Sequence, residues 1–474
     1  MLCDALRCTA TLWVAVISLL LAAPARGQTT EPKAPAAKKS TPAPKKGAVI
    51  SAESQKCIRC HAQKTPGIVA QWKGSRHAGA GVGCFECHYS LSEKEELGTF
   101  THEGEPITTV LSPKACQTCH GAIVAENQRS HHASAAKFIG SLDNVLGEVA
   151  EGRLAAVNGC WQCHGSTVTL LKNADGSIRK NAAGAPMLDP ETWPNTGIGR
   201  VNLDGSLGAC SACHSRHAFS KAMARQPEVC GKCHLGPDHP QAEIYDESKH
   251  GIAYRTQKEQ MHLDADKWIV GVTYTAAPTC STCHMSATSK QPITHDVGAR
   301  ISWTLRPVIS KKLENWEAKR TAMKEVCGNC HGSPFVDAFY KTFDDTVDLY
   351  NTKFAQPAQN IMNALRDAKK LTDTPFDEEI KWTFYRLWHH EGRRARMGAS
   401  MQGPDFVQWH GFFEVAESFY TRFLPQAKEA ARGDPKVLSV IQGVEQEKPH
   451  LWRKGLSPEE RKQIDDFYKE RYGK

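Results

Sequence analysis

Hydrophobic and polar positions divide the chain into stretches of different character. Near the N-terminus Arg7 precedes an apolar run, TLWVAVISLLLAA, that ends at Ala23-Pro24-Ala25. A short apolar run behind a positive charge and ahead of a small-x-small site reads as a secretory signal peptide over residues 1–25. It is shorter than the roughly 20 apolar residues a membrane span requires. Residues 26–50 are Ala, Pro and Lys with almost nothing to bury, which predicts an extended linker. After His331 a different pattern begins. Phe335, Phe339, Phe343, Val347, Tyr350 and Phe354 recur every three or four positions and place one apolar stripe on a helix. Pro357 should kink or divide that helix before Ile361 and Leu365 resume the stripe. Further helical runs are expected over 378–397 and 407–431, so residues 333–456 read as a C-terminal helical region and 457–474 as a polar tail.

Between linker and helices the chain is organised by cysteine. Two of the 18 cysteines, Cys3 and Cys8, fall in the signal peptide. The others form eight C-x-x-C pairs, each followed at once by histidine. These are Cys57/Cys60/His61, Cys84/Cys87/His88, Cys116/Cys119/His120 and Cys160/Cys163/His164, then Cys210/Cys213/His214, Cys230/Cys233/His234, Cys280/Cys283/His284 and Cys327/Cys330/His331. Zinc sites and redox dithiols use C-x-x-C without requiring histidine at the fifth position. Attachment of c-type haem does require it, because two thiols bond the vinyl groups while the adjacent imidazole reaches the iron. The expected cofactor is therefore eight c-type haems with their iron.

The signatures lie within 275 residues, from Cys57 to His331, at irregular spacing. That density leaves too little polypeptide for an ordinary core, so the porphyrins must supply it. The expected fold is mainly α: a multihaem cytochrome c domain with a haem-filled core over residues 51–332, plus the C-terminal helical region. Residues 173–208, dense in Gly, Pro, Asn and Asp, read as an irregular surface excursion. Export fits covalent haem attachment, which bacteria carry out beyond the cytoplasm, and points to the periplasm or an equivalent compartment.

Charge narrows the partners. The formal net charge is +8, but residues 1–50 hold seven Lys/Arg against two Asp/Glu, so the body carries about +3. With no basic aromatic patch, nucleic acid is not an expected partner, and no later segment is apolar enough to cross a bilayer.

Thirteen histidines lie outside the signatures. An electron-transfer haem takes a second axial ligand, whereas a catalytic haem keeps one face open. His77, just ahead of the second signature, and His217, three residues after His214, are good second ligands, and His102, His131, His295 and His389 are further candidates. On a helix the neighbours His131/His132 and His389/His390 point about 100° apart, so at most one of each pair faces a given iron. His450, in a polar stretch, is expected at the surface. Behind the sixth signature, CGKCHLGPDHPQAEIYDESKHG offers His239 and His250 as equivalent ligand candidates, except that His239 follows Asp238, and an Asp-His pair can also handle protons.

The order of eight signatures resembles the hydroxylamine oxidoreductase family of octahaem cytochromes. So do NGCWQCHG, GRVNLDGSLGACSACHSRH, CHLGPDHPQAEIYDESKHG, THDVGARISW and RLWHHEGRRARMGASMQGPDFVQWHGFFE, and the likeness covers roughly residues 51–430. The resemblance implies that the fourth haem, on Cys160, Cys163 and His164, is catalytic with an open distal face. It implies seven bis-histidine relay haems, His250 as a relay ligand, and Asp238 and His239 as acid–base groups over the active haem. It further implies a small nitrogen compound as substrate, a cytochrome or quinone-linked redox partner, and a homotrimer. In the oxidative branch a neighbouring subunit's tyrosine bonds to the active haem; at the best-matching position in GPDFVQWHG this chain has Phe406, with Tyr420 the nearest alternative. Phenylalanine has no phenolic oxygen for such a bond, which favours reduction of nitrite or a related nitrogen oxide. Oxidation of hydroxylamine or hydrazine, and a pure electron conduit with eight bis-histidine irons, are the alternatives. A lysine-ligated nitrite reductase would need C-x-x-C-K, which is absent from the sequence, and a sulfur-oxyanion reductase is a weaker alternative.

Overall fold

The structure, a computed structural model, describes residues 49–473 apart from Leu91, Glu93 and 139–144. The signal peptide, and all but the last two residues of the linker, lie outside them.

In C-x-x-C-H the first cysteine, the second cysteine and the histidine stand at positions i, i+3 and i+4. On one helical turn all three share a face. The chain uses this at most signatures: Cys57–His61 lies within the helix Ala52–Lys64 and Cys116–His120 within Pro113–Arg129. Cys84–His88, Cys160–His164 and Cys280–His284 are single five-residue helices. Cys210–Ala212 is a 3-10 turn, and Cys230 and Cys327 sit in the last turns of Pro227–Gly231 and Trp316–Cys327. Side-chain caps start several of these elements where little tertiary packing could: Ser51 accepts from Ser54 N, Ser112 from Lys114 N, and Thr279 from Thr282 N.

The stretch 173–208 is less irregular than expected. Isolated β-bridges tie Leu170 to Leu188, Lys172 to Ile178, Lys180 to Pro186 and Thr167 to Val201. Its return crosses behind the fourth signature, where Ile198 N donates to Cys163 O at 3.0 Å and Gly199 N to His164 O at 3.1 Å. The crossing is possible because both chains present glycine. A Cβ on Gly197 would lie 2.0 Å from Gly165 N, and Gly165 itself has φ +88°.

The C-terminal helices carry a conventional core. One cluster of buried side chains runs from Tyr350 to Val444 and includes Ile361, Leu365, Leu387, Phe419, Phe423 and Ile441. A second, around Tyr340, Phe343 and Val347, packs on Trp303. The break expected at Pro357 takes the form of a π-helical turn, Asn351–Ala355, between Ser333–Tyr350 and Gln356–Asp367. Proline's missing N–H is absorbed where the ladder is already shifted. Similar turns occur at Arg386–Glu391, Gln408–Phe413 and Ser418–Phe423. The polar tail is a helix, Pro458–Tyr472, capped by Ser457 and exposed along its length. Among the described residues no helix is long and apolar enough to cross a membrane.

His450 is buried, not exposed, and this corrects the surface placement. Its ring stacks on Phe419 at 5.5 Å, and its Nδ1 meets the Tyr420 hydroxyl at 2.8 Å. A phenol inside an apolar cluster needs a partner, and a histidine in an otherwise polar stretch supplies it. Tyr420→Phe is expected to lower stability by about 1 kcal/mol, and His450→Ala by about 2 kcal/mol because it orphans the phenol and opens a void. Thermal unfolding of the holoprotein reads both. Equal, negligible shifts would mean that the pair adds nothing.

Candidate functional site

A cavity of about 2100 Å³ runs through the middle of the molecule, lined by His131, His132, His164, His214, His234 and His284 among others. An ordinary ligand pocket holds roughly 300–1,000 Å³, so this space suits several large groups. None of the signature cysteines is consumed in a disulfide.

Most of these thiols are partly buried, but Cys60, Cys119 and Cys330 are exposed. Cys60 and Cys330 belong to the first and eighth signatures, at the two ends of the run, where other signatures follow on one side only. Cys119 falls in an exposed stretch, residues 117–120, of the helix Pro113–Arg129. Exposure does not remove any of the three from its signature, because a thioether needs the thiol's spacing and not its burial.

The imidazoles test whether haem iron fits. Two imidazoles sharing one metal at bonds of about 2 Å have ring centroids about 6 Å apart. Five signature histidines stand in such pairs with histidines distant in sequence. His61 faces His102 at 6.2 Å, His88 faces His217 at 6.4 Å, and His120 faces His77 at 6.3 Å. His234 faces His132 at 6.1 Å and His331 faces His250 at 6.1 Å. His295 lies near His214, and its Nδ1 is buried without a hydrogen bond. At His88 the Thr108 carbonyl, which can only accept, takes the Nδ1 proton at 2.8 Å and leaves Nε2 bare for a metal. These residues fit haem iron.

Of the pair His131/His132, it is His132 that stands opposite His234, while His131 lines the same cavity beside Gly298. Sequence could not separate them, since direction depends on where the helix Pro113–Arg129 ends.

The attachment sites also neighbour one another in a definite order. Cysteines of the first and second signatures lie close (Cys57, Cys84), as do those of the second and third (Cys87, Cys119) and the third and fifth (Cys116, Cys210). The fifth meets the sixth through Cys213 and Cys230, and the sixth meets the seventh through Cys230 and Cys280. The seventh meets the eighth through Cys283, which has both Cys327 and Cys330 as neighbours. The fourth joins this line at the sixth, through Cys163 and Cys233.

At that junction sit Asp238 and His239. His239 Nδ1 lies 2.5 Å from Asp238 Oδ1, and its Nε2 lies 2.8 Å from the Cys233 carbonyl. A carbonyl only accepts, and so does an ionised carboxylate, so both ring nitrogens carry protons and the ring is a cation. Burial disfavours that charge, but the Asp238 carboxylate and the Cys233 carbonyl outweigh it and hold the pKa of His239 above its ordinary value. Burial likewise opposes ionisation of Asp238, yet His239, His389 and Arg393 draw its pKa below the ordinary carboxylate value. His239 lies 6.1 Å from His234, as His132 does, but with both nitrogens donating it has no lone pair for iron.

Sequence reasoning missed the other members of this cluster. Arg393 Nη1 reaches Asp238 Oδ2 at 3.3 Å. His389, an iron-ligand candidate by sequence, stacks on Tyr385 at 4.3 Å and brings Nε2 to 4.0 Å from Asp238 Oδ2, so the structure places it with the Asp-His pair. The π-helical turn Arg386–Glu391 presents His389 and His390 toward the cavity, and Tyr385 precedes it. An H-H-E-G-R-R run was the available signal, but its facing depends on that turn.

Phe406 is buried against Ile244 and Met397. Tyr420 lies in the C-terminal core with its hydroxyl on His450.

A family model described as "Seven times multi-haem cytochrome CxxCH" matches residues 203–375, and one described as "Cytochrome c554 and c-prime" matches 25–89 and 115–184. The chain is 29% identical over 344 residues to a probable nitrite reductase-hydroxylamine oxidoreductase fusion protein of Kuenenia stuttgartiensis, covering 62% of this chain and 36% of that protein. It is 24% identical over 200 residues to a C-type polyheme cytochrome of Geobacter sulfurreducens, covering 39% of this chain and 23% of that one. The chain thus spans about a third or less of the length of these curated relatives. A solved structure described as a hypothetical multiheme protein superposes with a TM-score of 0.71 at 24% identity, over 81% of this chain and 97% of that one. A chain of the Kuenenia stuttgartiensis reducing HAO-like protein complex superposes with a TM-score of 0.57 at 22% identity, over 82% and 87%. These two likenesses show the fold, mainly α-helical and multihaem. The haem-binding motifs, the two family models and the curated relatives together make this chain similar to the hydroxylamine oxidoreductase-like multihaem c-type cytochromes.

Proposed function

We propose that the protein is an octahaem oxidoreductase that reduces nitrite or a related nitrogen oxide at the site of Cys160, Cys163 and His164, with Asp238 and His239 as its proton-handling groups. The observation that carries this reading is the doubly donating His239. Each oxygen that leaves a nitrogen oxide as water takes two protons with it, so a reductive site must hold protons ready beside electrons. When bound, haem c supplies one-electron steps and an iron open to a small ligand. The polypeptide does the rest. His132, His217, His77, His102, His250 and His295 close the relay sites; Asp238 holds His239 as a cation; and Arg393 keeps Asp238 ionised. A buried cation attracts an anionic substrate and can hand it a proton from Nε2 once the Cys233 carbonyl contact opens.

The order of neighbouring cysteines supports one continuous relay with the fourth site as a branch from the sixth. The first and eighth sites are the two ends of that line, where a redox partner would exchange electrons. Phe406, buried in its own chain, supports an active haem without a tyrosine bond and therefore the reductive direction. Export to the periplasm, a cytochrome or quinone-linked donor and a homotrimer complete the reading.

Nitrite consumption by the dye-reduced holoprotein tests it, together with mass analysis of its haem peptides. Reduction with eight unmodified haem peptides is the expected result. A tyrosine adduct on the Cys160/Cys163 peptide would overturn the reductive direction, and no response of the reduced spectrum to nitrite or carbon monoxide would leave only a conduit.

The activity should also follow the pair's charge. His239 must be protonated and its pKa is raised, so the rate should fall as pH climbs through a value above 6.5. Asp238 must be ionised and its pKa is lowered, so the acid limb should lie below 3.8. The stabilisation from the pair is complete between those ordinary values. It is lost as pH rises past the raised pKa or drops past the lowered one. A pH–rate profile whose basic limb sits below 6.5 would contradict the assignment.

A further inference from the structure

A second cavity of about 520 Å³ lies back to back with the proton-handling pair. Pro237 forms part of its wall, while Asp238 and His239 line the central cavity, and Arg386 and His390 line both. The two spaces therefore meet at one guanidinium and one imidazole. Arg394 and Arg422 add two more cations, and His410 and the exposed rings of Trp409 and Phe413 form the outer side.

The carboxylates around this space are largely spent. Glu414 is bound by Arg394 and by His410 Nδ1 at 3.2 Å. Glu391 is buried, accepts from Ser418 Oγ at 2.8 Å, and burial pushes its carboxyl up to about 7, so it contributes only part of a charge. Glu417 also lines the space, and among the described residues neither Arg386 nor Arg422 stands in an ion pair. The balance is positive, in a concave space roomy enough for a hydrated small ion.

We propose that this cavity is an antechamber that collects a small oxyanion of the nitrite class and passes it between Arg386 and His390 to the central cavity. The inference rests on the reductive reading and deepens it, because a neutral substrate such as hydroxylamine gains nothing from such a wall. Lining cations in a concave space raise the local anion concentration and the association rate by about 10-fold or more, and salt removes the effect.

The test is stopped-flow binding of nitrite to the holoprotein, in the wild type and in Arg386→Gln/Arg422→Gln, at low and high ionic strength. The expected result is a roughly tenfold lower association rate in the double variant at low salt, loss of the difference at high salt, and recovery in Arg386→Lys/Arg422→Lys. The haemochrome content should be unchanged. If the double variant loses haem, the single Arg422→Gln, at an exposed position, carries the test with a smaller drop expected. Nitrite reduced at rates indifferent to these arginines would overturn the antechamber and spare the reductive reading. Arginine-dependent binding without any reduction would uphold the antechamber and overturn that reading. Nitrite that does not bind at all would remove both.

Discussion

His239→Ala is expected to lower nitrite turnover by about 10²–10⁴-fold, the ordinary worth of a positioned general acid, while every haem stays attached and low-spin signals persist. The reason is local. The ring uses both nitrogens as donors, to Asp238 Oδ1 and to the Cys233 carbonyl, so its removal takes a proton source and a positive charge from the junction of the fourth and sixth sites but no iron ligand. Asp238→Asn should cost less. An amide still accepts one hydrogen bond but no longer favours the imidazolium, so the basic limb of the rate profile should move toward lower pH. Steady-state kinetics with a dye donor and low-temperature electron paramagnetic resonance on the same samples distinguish the outcomes. Disappearance of one bis-histidine signal would show His239 to be a ligand, and an undiminished rate would remove the pair from catalysis.

Chain made without haem attachment should lose its structure over roughly residues 52–332 while the helices between Tyr350 and Val444 persist. A largely apolar space of 2100 Å³ left without its occupants removes the packing that an ordinary domain, held by only about 5–15 kcal/mol, depends on. No rearrangement of side chains alone can close it, because buried hydrophobics are sparse among the signatures and concentrated after residue 335. The C-terminal helices have their own core in Tyr350, Ile361, Leu365, Phe419, Phe423 and Ile441. Hydrogen–deuterium exchange of cytoplasmically expressed chain, compared with holoprotein, provides the measurement. Protection lost only in the first region is the expected outcome; uniform protection would show that haem is not what fills the core.

Much of this was legible in one dimension because the relevant chemistry is local. C-x-x-C-H places two thiols and an imidazole on one helical turn, so eight attachment motifs could be counted without knowing any fold. The stripe from Phe335 to Phe354 has the helical period, so its helix could be read, including a break near Pro357. The choice between His131 and His132 is different in kind. Both are adjacent at the end of a helix, and which of them stands opposite His234 depends on how that helix terminates in space. The burial of His450 is hidden for a related reason: its neighbours in sequence are polar, but its neighbours in space are Phe419 and the Tyr420 hydroxyl. The exposure of Cys60, Cys119 and Cys330 is equally invisible in a motif that reads the same at all eight sites, because it depends on what packs beside each turn.

The same division applies at the site. Sequence by itself pointed to haem c as the cofactor, to the number of attachment motifs and, through family resemblance, to Asp238 and His239 as candidates, since each is carried by residues a few positions apart. Only the tertiary structure decided that His239 donates from both nitrogens, that His389 and Arg393 converge on Asp238 from 150 residues away, and that a cationic space lies behind them. Hydrogen-bond geometry and electrostatic balance are sums over neighbours in space, and a π-helical turn that re-aims two histidines leaves no unambiguous mark in the order of residues.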